Sequence, residues 1–173
     1  GLLNIAAFGC QPTVYLMPTP AIMATGEINP FNINPNLEES NRVDVLFATN
    51  RKPIGGDDSR SYTIFPGDKL RLGIAHFTIG GAVTDWRQVF ELSTSDEDRD
   101  RPALHLEDLQ ELAVVPLDDE TAPLPKEVES FAAAVNDVLA DSLDKDIMVY
   151  VHGANSNIYR AAAQAAQYHH FTG

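Results

Sequence analysis

The sequence predicts an α/β fold: a sheet with covering helices, preceded by a Pro-rich extended arm. Three observations carry this. Short apolar runs at Val43–Ala48, Leu70–Ile79 and Ile147–Val151 have the length and composition of buried strands. Two segments with helical periodicity lie on either side of the last of these runs. The order strand, helix, strand, helix indicates at least one parallel crossover.

Residues 1–10, GLLNIAAFGC, set small and apolar residues before Cys10, with Gly9 directly preceding it. This looks like the tail of a bacterial lipoprotein signal, in which the chain is cut before a Cys that then carries lipid. Phe8 stands where a small residue is more usual, and the basic start of such a signal is not in the sequence. The plain alternative is an apolar segment ending in a free Cys. One lipid chain would anchor only marginally. Cys10 is the sole cysteine, so no internal disulfide can form.

Residues 11–41 contain five prolines and several Asn, which rules out continuous helix and central strand. Val14, Tyr15, Leu16, Met17, Ile22, Met23, Phe31 and Ile33 make this arm too apolar for a free tether, so it should lie along the body or on a partner.

The body spans residues 42–173. Val43–Ala48 reads as a buried strand ending in a polar turn before Pro53, and the segment to Lys69 reads as a turn-rich connection. In Leu70–Ile79 both faces carry apolar residues, which suits a sheet covered on both sides, and Gly73 marks a bulge or a close backbone contact. Trp86 reads as a packing residue near the end of this strand region. LHLEDLQELAVVPL fits strand or helix, with the balance toward a strand ending near Pro116. Val128, Phe131, Val135, Val138 and Leu139 share one helical face, and Pro125 suits the first turn. Ile147–Val151 is expected to be a buried strand. An Ala-rich helix follows from Ile158 to about Tyr168, N-capped by Ser156 or Asn157.

The formal net charge of −13 argues against nucleic acid and anionic membrane surfaces as partners, because both need clustered Lys and Arg. It is otherwise read as an aid to solubility. There is no apolar run of about 18 residues.

The chemically suggestive feature is the turn after Ile147–Val151: His152, Gly153, Ala154 and Asn155. A strand ending in His-Gly just before a helix turns backbone N–H groups outward at a helix N-terminus, where they can hold a developing oxyanion. The donor would be Ala154 N–H, with Gly153 permitting the geometry, Asn155 bracing the turn and His152 orienting the loop. Most His-Gly pairs, however, are turns without chemistry.

The segments VDVLFATNRKP, LRLGIAHFTIG and ESFAAAVNDVLADSLDKDIMVYVHGANSNIYRAAAQAAQ, in this order, resemble the N-terminal half of a bacterial family of α/β-hydrolase-like proteins of uncharacterised function. The similarity runs from about Arg42 to Gln167. LMPTP in the arm is similar to arms of lipoprotein members. Ala154 stands where the family usually has an aromatic. The resemblance implies an incomplete α/β-hydrolase-like sheet over 42–173, with the nucleophile in a G-x-S-x-G elbow after a later strand. No G-x-S-x-G occurs in the sequence, so no catalytic residue is assigned within it.

The expected function is therefore the N-terminal portion of an envelope lipoprotein that hydrolyses an ester or acyl bond if a C-terminal half supplies the nucleophile. It would be held by lipid on Cys10 at the periplasmic side of a bacterial membrane, or secreted. The alternative is a noncatalytic subunit of an envelope assembly, docking through the arm and an open sheet edge. In either case the C-terminal half or a partner subunit should cover that edge. No cofactor or metal is expected: the five histidines lack zinc spacing, and Asp96, Asp98, Asp100 and Glu107 mimic a calcium loop but have Arg101 where its Gly belongs. His169 and His170 should favour the helix C-terminus through its dipole.

Overall fold

The computed structural model describes residues 13–34, 38–56, 59–95, 100–118, 121–142, 145–153 and 156–172. Its elements in chain order are α1 (Ala21–Ala24), α2 (Pro30–Ile33), β1 (Arg42–Ile54), β2 (Ser61–Ile79), a 3-10 turn (Gly81–Val83), α3 (Trp86–Thr94), β3 (Leu104–Pro116), α4 (Val128–Asp141) and α5 (Ile158–Thr172).

The strands form one three-stranded open sheet in the order β1-β2-β3, and both pairings are antiparallel. At a coarse level the domain is α/β, a sheet with helices packed on it. The expected parallel crossover is absent among the described residues, and antiparallel pairing does not match a typical α/β-hydrolase sheet. Strand direction follows from how elements connect, which apolar runs do not encode.

β2 is far longer than its apolar run. Ser61–Lys69 and Thr49–Ile54, read as turns, instead continue the β1–β2 pairing as a two-stranded ribbon. Register breaks between Thr49 and Arg51 and between Arg51 and Pro53 accommodate Pro53 and Pro66. β3 carries register shifts opposite Leu72/Gly73 and His76/Phe77. Gly73 meets both of its expectations: it lies at a bulge, and a Cβ there would sit 2.1 Å from Gln110 O and 2.8 Å from the Phe47 ring.

One sheet face forms the core. Val43, Phe47, Ala75, Phe77, Ile79, Leu104 and Leu109 pack with Ala162, Ala163, Ala166 and Phe171 of α5 and Val89 of α3. Small Ala side chains let α5 approach the strands closely. The arm closes this core from outside. Leu16 is fully buried, Leu16 N–H donates to Pro102 O, and Leu104 N–H donates to Val14 O. Tyr159 Oη donates to Leu104 O and accepts from Val14 N–H, both at 2.9 Å.

α3 was not foreseen. Asp85 caps it reciprocally with Gln88, and Trp86 is its first residue, packed edge-on to Phe31 at 5.4 Å. α4 forms where its periodicity places it, starting three residues after Pro125, and packs on β3 with only partial burial. Lys145 Nζ caps its end by donating to the carbonyls of Leu139, Ala140 and Ser142.

The largest departure is Ile147–Val151. It is not a buried strand. The residues are 64, 59, 78, 40 and 84 % exposed, and none of their backbone groups bonds to another described residue. Tyr150 packs against the Tyr168 ring of α5, with ring centroids 5.7 Å apart. A run of β-branched and aromatic residues favours a strand, but burial depends on neighbouring strands, and none lies beside it among the described residues.

Candidate functional site

The His152–Gly153 turn is tied to the end of β1. Arg51, at the register break, donates from Nη1 to Ser156 O at 2.6 Å and reaches His152 Nε2 from Nη2 at 3.5 Å. His152 Nδ1 lies 2.9 Å from Gly153 O. The two contacts fit one tautomer, with Nδ1–H donating to Gly153 O and Nε2 accepting from Arg51. Both ring nitrogens are thus engaged in positioning the turn. Asn157 is the N-cap of α5, its Oδ1 accepting from Arg160 N–H at 2.8 Å. A Cβ on Gly153 would meet nothing within 4 Å, so packing among the described residues does not require glycine there. Ala154, Asn155 and Cys10 lie outside the described residues, and with them the expected oxyanion donor and lipid attachment point.

Beside this turn is an open cleft of about 470 Å³. Ala48, Ile64, Pro66, Leu70 and Leu117 supply an apolar lining, while Thr49, Asn50, Arg51 and His152 supply its polar side chains. Arg51 lacked a sequence signal because it falls in a segment read as a polar turn.

A second constellation is buried. Ser93 Oγ of α3 lies 2.7 Å from His170 Nε2 of α5, and Ser93 is fully buried. Burial pushes His170 down to about 4, and neighbouring His169 pushes in the same direction. His169 is lowered as well by burial, against an opposing influence from the Asp44 carboxylate. Both histidines are thus neutral near pH 7, so the expected charge–dipole role at the end of α5 is replaced by a hydrogen-bonded clamp between two helices. Although a Ser–His pair is a nucleophile–base combination, enclosure of Ser93 bars substrate and assigns the pair to structure.

Two polar rows cross the sheet. Asp44, His76 and Asp108 lie opposite one another on β1, β2 and β3, with His76 Nδ1 2.8 Å from Asp44 Oδ1 and Nε2 3.8 Å from Asp108 Oδ1. Glu111 bridges Arg60 at 2.9 Å and Arg71 at 2.6 Å. Tyr62 Oη is buried nearby without a hydrogen-bond partner among the described residues. Its ionisation is raised well above the usual range by burial and then by the Glu111 charge. Among the described residues no group of three or more His, Cys, Asp or Glu could hold a metal ion, and no helix is long and apolar enough to cross a membrane.

No protein-family model, curated protein or solved structure matches the chain.

Proposed function

We propose that these residues are the N-terminal portion of an α/β-hydrolase-like envelope lipoprotein, cleaving an ester or acyl bond with a nucleophile supplied from outside residues 1–173. The observation that carries this is Ile147–Val151: an exposed apolar segment whose backbone bonds to no other described residue, followed in the sequence by His152-Gly153 and then by a helix packed on the body. Unpaired backbone on a run of strong strand formers calls for neighbouring strands, and an exposed apolar edge otherwise favours aggregation. A nucleophile elbow on such a neighbouring strand would face the turn, where backbone N–H groups at the start of α5 would hold the oxyanion. Lipid on Cys10, four positions before Val14 where the arm docks, would keep the body at the membrane surface.

The antiparallel sheet favours a second reading, a noncatalytic envelope subunit whose open edge is paired by a partner strand. Docking through the arm has less support, since residues 14–17 are already committed to the chain's own core and hydrogen bonds.

Intact mass of the natural protein, combined with labelling by a serine-reactive fluorophosphonate, tests the choice. A mass well above 18.9 kDa with one labelled serine outside residues 1–173 supports the hydrolase. A mass near 18.9 kDa without labelling refutes it and supports the subunit. Turnover of an activated ester by residues 1–173, abolished by Ser156→Ala, would refute both.

A further inference from the structure

We infer that the cleft between the β1–β2 ribbon and the His152 turn binds a small monocarboxylate with a short apolar chain, its carboxylate held by Arg51. The charge pattern points to an anion. The protein carries 25 acidic against 12 basic residues, yet no acidic side chain lines this cleft among the described residues. Nor does any carboxylate lie within ion-pair distance of Arg51 among the described residues, unlike Arg71 of β2, which is bridged by Glu111. The bonds to Ser156 O and His152 engage two of the five guanidinium donors. Those two bonds also fix the plane of the group, so the remaining donors present a pre-oriented fork suited to a carboxylate.

The rest of the lining defines the other end of the ligand. Ile64, Pro66, Leu70 and Leu117 offer only apolar surface, with Ile64 and Leu117 about half exposed and thus open to cover. A volume of about 470 Å³ is within the usual size for small-molecule sites and accommodates a chain of several carbons. A phosphate dianion would want more than one cation and no apolar wall, which leaves the carboxylate as the better fit. Binding of this kind does not depend on hydrolysis. If the proposed acyl hydrolysis does occur at the adjacent turn, the ligand corresponds to the acid released.

The test is a chemical-shift titration of isotope-labelled residues 1–173 with acetate, butanoate, hexanoate and octanoate, with hexanol and hexylamine as neutral and cationic probes. Saturable shifts are expected at residues 48–51, 64–70, 117 and 152. Affinity should rise about twofold to fourfold per added methylene, and hexylamine should not bind. Arg51→Gln should weaken hexanoate about tenfold. Because Arg51 also braces the turn, Leu117→Asp serves as a second variant: it leaves Arg51 in place, alters a half-exposed side chain and should abolish binding by repulsion. The inference fails if no acid gives saturable shifts there, if hexylamine binds as well as hexanoate, or if Leu117→Asp leaves hexanoate affinity unchanged. Hexanoate binding, alongside a natural protein that hydrolyses no ester, would retain the cleft assignment and remove the hydrolase.

Discussion

Acid should loosen the clamp between α3 and α5 through His170. The side chain is buried, accepts or donates its Nε2 bond to Ser93, and lies against Phe31 at 5.1 Å, leaving little room for a solvated cation. Its folded pKa of about 4 is below the unfolded value of 6.5. Above pH 6.5 both states are neutral at this residue, so the full stability is present. Between pH 6.5 and about 4 the unfolded chain takes up a proton that the native state excludes, and stability falls as pH falls. Below that, both states are charged and the loss levels off. The interval corresponds to roughly 3 kcal/mol, a large share of a typical domain's stability. His169, lowered by burial against the opposing Asp44 charge, acts in the same direction. Urea unfolding of the wild type and His170→Gln at intervals from pH 7.5 to 4.5 isolates the effect, since carboxylate titration is common to both. The wild type should lose about 2 kcal/mol or more relative to the variant across that range. A difference independent of pH would refute the assignment of a neutral, buried His170.

Three further outcomes follow from packing and capping. Ser93→Ala leaves His170 Nε2 buried without its partner and should lower stability by about 1–3 kcal/mol at pH 7. Gly73→Ala drives a Cβ into Gln110 O and the Phe47 ring, where backbone cannot yield easily, and should cost about 2 kcal/mol or more by chemical denaturation. Asn157→Ala removes the N-cap of α5 and should cost about 1 kcal/mol, with Asn157→Asp close to neutral.

The parts of the fold that were legible in the sequence are those fixed by local pattern. The Val43–Ala48 run, the strand to Pro116, the apolar stripe of α4 and the Ala-rich α5 all form where periodicity puts them. α3 was legible in principle, since Asp85 and Gln88 have capping-box spacing and Trp86, Val89, Phe90 and Ser93 share one face. It was obscured by the charged segment that follows. The ribbon of Thr49–Ile54 and Ser61–Lys69 left little trace because it is mostly exposed, with only Thr49 and Tyr62 buried in it, and so shows no apolar alternation. Strand direction was misread because a helix between two strand-like runs implies a crossover only if the runs pair in one sheet, and Ile147–Val151 pairs with nothing described. The Ser93–His170 and Arg51–His152 contacts join residues about eighty and a hundred positions apart, beyond any local pattern.

Backbone amide hydrogen exchange of residues 1–173 at neutral pH measures the open strand directly. Amides of Ile147–Val151 should exchange at near-intrinsic rates while those of β2 and α5 are strongly protected, because the segment has no backbone hydrogen-bond partner among the described residues. Strong protection of Ile147–Val151 in the monomeric chain would mean that the strand is already paired, and the proposal that its neighbours come from elsewhere would fall.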